Sequence, residues 1–164
     1  MPSKIVARAL CTLMLLLAGL PGVAKAQAVN QSLTFAINAI NQIAFVGTPS
    51  LTITSATAGV SPTSVIIATA TWAVTTNQSG AKITASIPTA MPAGLTLSTS
   101  LVAPTGGLSA GYQTLGVTAV DVVTGITKVA EGSLSVSYKL DATAAAGVVT
   151  SASRVVTYTI TGGT

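Results

Sequence analysis

Apolar and small polar residues alternate along most of this chain with a period of two. That spacing belongs to strands with one inward and one outward face. In the stretch from Ser32, Leu33, Phe35 and Ile37 share one side, with Thr34 and Ala36 on the other. Leu51-Thr52-Ile53-Thr54 repeats the pattern briefly. The longest run is Val65 to Thr76, where Ile66, Ala68, Ala70, Trp72 and Val74 alternate with Ile67, Thr69, Thr71, Ala73 and Thr75. Both of its sides are fairly apolar, which predicts a central strand.

Asn77-Gln78-Ser79-Gly80 reads as a turn. Ile83, Ala85 and Ile87 form the next inward face, closed by Pro88. After the link Met91-Pro92-Ala93-Gly94, alternation resumes over Leu95, Leu97, Thr99 and Leu101, and Pro104-Thr105-Gly106-Gly107 marks another turn. Strands are expected over Tyr112 to Thr118 and Val120 to Val123, the latter closed by Thr124-Gly125. The two clearest patterns come last: Leu134, Val136, Tyr138 and Leu140, then Val156, Tyr158 and Ile160. Between them, residues 141–147 (DATAAAG) suit one helical turn or a loop.

About eight short strands separated by turn signals predict an all-β fold, an antiparallel β-sandwich of immunoglobulin-like or jelly-roll-like type. Thr and Val, stiff at χ1, suit a pleated sheet. No repeat of about 20–50 residues marks a propeller or solenoid.

The first 28 residues have the layout of an export signal. Lys4 and Arg8 precede an apolar run from Ala9 to Leu20, and Pro21-Gly22 breaks it. Cleavage is expected after Ala28, with Ala26 as the second choice. The run is shorter than the roughly 20 residues that span a bilayer, so no stable membrane anchor is expected after cleavage. Cys11 is followed by more apolar sequence and preceded by Leu10, the wrong context for lipid attachment. Residues 29–164 then form a single domain without cysteine, whose stability cannot rest on disulfides.

Removal of the signal changes the charge picture. The whole chain carries +4, but Lys4, Arg8 and Lys25 leave with the signal. Lys82, Lys128, Lys139 and Arg154 remain against Asp121, Glu131 and Asp141, a net charge of +1. There is no basic cluster for nucleic acid or anionic lipid. With so little charge, copies of the molecule repel one another weakly, which favours lateral association.

Chemistry is scarce. The chain has no His, so a nucleophilic hydroxyl lacks its usual base. The three carboxylates sit at turns or strand ends rather than as a pair flanking a substrate, and they form no calcium-type cluster. No catalytic residue, metal ligand or cofactor is expected. Asn30-Gln31-Ser32 and Asn77-Gln78-Ser79 fit a glycosylation pattern that arises easily in a Ser/Thr-rich chain, and are read as turn or edge residues.

Two groups of residues remain as candidate sites. Trp72 is expected in the core. If Trp72, Tyr112 and Tyr138 were instead exposed, they would offer an aromatic platform for a carbohydrate. Leu33, Phe35 and Ile37 are expected to form the first strand of the sandwich. The alternative is strand addition, in which they pair into a neighbouring molecule's sheet.

The signal, the Thr/Val/Ala/Gly-rich strands and a last strand ending Tyr158-Thr159-Ile160-Thr161 resemble secreted bacterial surface and fimbrial-type β-sandwich domains. The paired cysteines common in chaperone–usher pilins are missing, and no functional residue carries over. The expected function is that of a non-enzymatic exported protein, structural or adhesive, at the cell surface or outside the cell. Its expected partners are itself or other surface proteins, through strand edges. The alternative is a soluble periplasmic or extracellular carbohydrate- or ligand-binding module.

Overall fold

The computed structural model describes residues 25–163. The expected signal therefore lies outside the described residues, apart from 25–28. The chain divides into an N-terminal unit ending at Ala36 and a main unit beginning at Ile37. Residues 25–36 are exposed and contain no strand. Among the described residues no helix is long and apolar enough to cross a membrane.

The main unit is an antiparallel β-sandwich. Its strands are β1 (Asn41–Val46), β2 (Val65–Thr76), β3 (Ala81–Ser86), β4 (Leu95–Leu101), β5 (Leu108–Ser109), β6 (Gln113–Thr114), β7 (Val120–Ile126), β8 (Val129–Ala142) and β9 (Thr157–Thr161). One sheet runs β1-β2-β8-β4-β6 and the other β5-β7-β3-β9. In the immunoglobulin arrangement one sheet has the order ABED and the other CFG. Here β1-β2-β8-β4 follows ABED, β3 and β9 take the C and F places, and β5 to β7 are inserted between D and E. Of the two expected sandwich types, the strand order follows the immunoglobulin one.

Between the sheets lie Trp72, Ile83, Ile87, Leu101, Val122, Val123, Ile126 and Val136, all essentially removed from water. At about 1.5–3 kcal/mol for each fully buried large apolar side chain, these account for much of the favourable side of folding. The inward faces of β3 and β8 are those expected: Ile83, Ala85 and Ile87, then Leu134, Val136 and Tyr138.

Bulges decide where alternation fails. On β2 the register against β8 shifts between Ile67 and Ala70, where three steps on β2 meet two on β8. The extra residue reverses the faces. Ile67 packs on the core with Ala70, Trp72 and Val74, while Ile66, assigned to the same side as Trp72 by strict alternation, is exposed. A similar shift on β7 opposite β3 lets the adjacent Val122 and Val123 both be buried.

Three expectations about elements are corrected. Ser32 to Ile37 forms no strand. The first strand is Asn41–Val46, where Ile43 and Phe45 turn inward. Leu51 to Thr54 keeps its alternation, with Leu51 and Ile53 half-buried, but forms no ladder; the nearby pairing is a single bridge between Ala56 and Pro62. In Tyr112 to Thr118 only Gln113–Thr114 is strand. There Leu115 N–H bonds Leu97 carbonyl at 2.8 Å and Gly116 carbonyl accepts from Ile87 N–H at 2.9 Å, so the backbone is satisfied across the ends of both sheets.

The two sheets differ in length. β2 has 12 residues and β8 has 14, whereas β3 has 6 and β9 has 5. The N-terminal part of β2, the C-terminal part of β8 and the start of β4 therefore extend past the opposite sheet, and coil covers them. Gly94 ties this coil down. Its φ is +79°, and its carbonyl accepts from Thr143 N–H at 2.8 Å. A Cβ there would approach Ala146 N to 2.5 Å, so glycine alone fits. Residues 141–147, expected as a helical turn or a loop, contain the short 3₁₀ turn Ala144–Ala146.

Candidate functional site

The sandwich has two kinds of edge. On one side the sheets end in β5 and β6, stubs of two residues each. On the other they end in β1 and β9, of six and five residues. An edge strand turns alternate N–H and C=O groups outward. Such edges are usually blunted by charge or proline. β1 (NQIAFV) and β9 (TYTIT) contain neither. The sequence has no charged residue between Lys25 and Lys82.

β1 and β9 face each other across the sandwich through aromatic rings. Phe45 on β1 stacks on Tyr158 of β9 with ring centroids 4.0 Å apart, and on Trp72 at 6.0 Å. The Tyr158 hydroxyl donates to Tyr138 Oη at 3.0 Å and lies 2.9 Å from Thr99 Oγ1. Burial pushes the Tyr158 phenol far above the ordinary tyrosine range, against the hydrogen bond from Thr99. Burial also raises the Tyr138 phenol, opposed by its bond with Tyr158. The hydroxyls of the two rings join the two sheets.

Below this stack a cleft of about 620 Å³ opens between Ile43 and Phe45 of β1, Leu97 and Tyr138, and Tyr158. Arg154 lies at its rim. Its guanidinium donates to the carbonyls of Ser153 (2.8 Å) and Ala90 (3.2 Å), tying the segment before β9 to the link before β4. A second space of about 600 Å³ lies beneath the coil of residues 50–56 and 146–154. Both mark the end where the long strands lack sheet cover.

The expected aromatic platform does not form at the surface. Trp72 is 1% exposed, and its Nε1 donates to the Val102 carbonyl at 3.1 Å. It is a core residue, as anticipated. Tyr138 is buried in the hydroxyl network just described, and Tyr112, 43% exposed, stands apart from both. Leu33, Phe35 and Ile37 are 84%, 87% and 81% exposed.

The Asn77 side chain holds the chain where it enters β1. Its Nδ2 donates to the Asn38 carbonyl and its Oδ1 accepts from Ile40 N–H, both at 2.8 Å. Asn41 Nδ2 donates to Gln78 Oε1 at 2.9 Å beside it. Asn77 thus sits in the turn, as its sequence context suggested, with its amide engaged.

Each carboxylate has a structural partner. Asp121 pairs with Lys82 at 2.9 Å across β3 and β7. Glu131 accepts from Thr105 N–H at 2.7 Å. Asp141 accepts from the Ser64 hydroxyl and lies 3.0 Å from Lys139 Nζ. The Ser64 hydrogen bond holds the Asp141 carboxyl below the usual range; burial opposes it, and Lys139 adds smaller lowering effects. Among the described residues no three His, Cys, Asp or Glu side chains lie close enough to hold a metal ion.

Sequence reasoning missed β1 and Arg154. Ile43-Ala44-Phe45-Val46 does carry the alternation, directly after the polar Asn41-Gln42. Arg154 has no local signal, because its bond to Ala90 joins positions 64 residues apart. Compared with known proteins, the chain matches no family model, and no curated protein is significantly similar to it.

Proposed function

We propose that this protein is an exported, non-enzymatic structural or adhesive component of the cell surface or extracellular space, assembling through its sheet edges. The observation that carries the proposal is the pair of uncharged, proline-free edge strands β1 and β9 on one side of the sandwich. Evolution usually blocks such edges because they template pairing with another chain. A net charge of +1 after signal removal adds little repulsion.

The carbohydrate-binding alternative has less support, because Trp72 and Tyr138 are withdrawn into the core. The test is size-exclusion chromatography with light scattering on the chain beginning at Val29, followed by negative-stain microscopy of any large species. Concentration-dependent oligomers or filaments are expected. A monomer that persists at high concentration would overturn the proposal.

A further inference from the structure

We infer that the free edge of β9, with the cleft between β9 and β1, accepts the segment Leu33–Ile37 of a second copy of this chain as an added strand. The inference rests on the proposed assembly through sheet edges and names the two surfaces that meet.

The acceptor follows from strand order. The G place of an immunoglobulin sandwich lies beside F, where it helps to cover A in the opposite sheet. β9 takes the F place and β1 the A place, and no strand among the described residues pairs with the outer edge of β9. A strand added there continues the sheet β5-β7-β3-β9. Its inward side chains meet the apolar lining supplied by Ile43, Phe45 and Tyr158.

The donor is fitted to that place. Leu33, Phe35 and Ile37 alternate with Thr34 and Ala36, so one face is apolar and the other small. All three large side chains are exposed, and no backbone ladder engages residues 29–37. Nine extended residues reach about 30 Å, more than the roughly 17 Å of a five-residue edge strand. The segment itself carries no charge to desolvate, since none lies between Lys25 and Lys82, and Arg154 at the cleft already donates to two backbone carbonyls. Donor and acceptor are different surfaces, so the contact is heterologous, and its repetition builds a ring or an open filament.

Disulfide trapping tests this, because the chain after Ala28 has no native cysteine. The Thr34→Cys variant is mixed in turn with Thr157→Cys, Thr159→Cys and Thr161→Cys, which place thiols along the outward face of β9, and with Thr114→Cys on β6, at the opposite edge of the sandwich. The mixed disulfide is expected with at least one β9 variant and not with Thr114→Cys. Phe35→Asp should also weaken association by roughly 100-fold or more with the circular dichroism and melting temperature unchanged. Oligomers that persist in Phe35→Asp and give no β9 cross-link would overturn the donor–acceptor assignment while leaving edge assembly standing. A wild-type chain that stays monomeric would overturn both.

Discussion

The two ends of the sandwich are built differently. Near the turn at residues 77–80, the long and short strands overlap, and Val74, Ala81, Ile83, Val123 and Ile126 are closed off from water between two sheets. At the other end β2 and β8 run past β3 and β9. There Ile67, Leu51 and Met91 are only half-buried, and clefts of about 600 Å³ and 620 Å³ open beneath coil. Overlap of sheets, rather than hydrophobicity alone, decides which apolar residues become core. Coil cannot supply a continuous face of side chains, so it leaves space.

The contrast predicts a gradient of mutational cost. Trp72→Ala should be the most damaging single change, costing about 3–5 kcal/mol, because it empties the largest buried site and leaves the Val102 carbonyl unpaired. Chemical denaturation should show a large fall in the midpoint. A loss below about 1 kcal/mol would mean that this end is no better packed than the other.

Tyr158→Phe comes next. Removing the hydroxyl takes a partner from Tyr138 and Thr99 and should cost about 1–3 kcal/mol. It also carries a pH signature. The folded-state phenol is raised above its unfolded value, so the unfolded chain loses its proton first as pH rises. Stability should fall above about pH 10 by up to about 1.4 kcal/mol per pH unit for this group. Unfolding measured from pH 8 to 11 should be flatter in Tyr158→Phe than in the wild type. Equal slopes would show that this phenol does not govern the alkaline limb.

Leu140→Ala probes the uncovered end, where the side chain lines both clefts. A half-buried leucine beside empty space should cost about 1–2 kcal/mol, clearly less than Trp72→Ala. A larger value would show that the coil cover closes tightly in solution. The smallest effect is expected for Phe35→Ala in the monomer. Its ring is 87% exposed, and the melting temperature should change by less than the equivalent of about 0.5 kcal/mol. A strongly destabilised monomer would place Phe35 in its own core.

Much of the fold was legible from pattern. Val65–Thr76 is a strand over its whole expected length, and Leu95–Leu101 likewise. The inward faces of β3 and β8 follow from spacing alone. The candidate site was only half legible. The alternation at Leu33, Phe35 and Ile37 is visible in the sequence, but an unpaired segment and a paired strand look the same there. The pairing of Phe45 with Tyr158 was invisible, since these positions are 113 residues apart and meet only because the two sheets stack.

The sequence by itself determined that the chain is β-rich, where its main strands run, and that it carries few charged side chains and no His. Those properties are local: the period of two and the composition depend on no partner. Only the tertiary structure decided which segments find ladder partners, where the bulge on β2 reverses its faces, that Trp72 and Tyr138 turn inward, and that β1 and β9 end the sheets together. These depend on register and on the unequal lengths of opposed strands, because a strand's edge and its burial belong to the sheet around it.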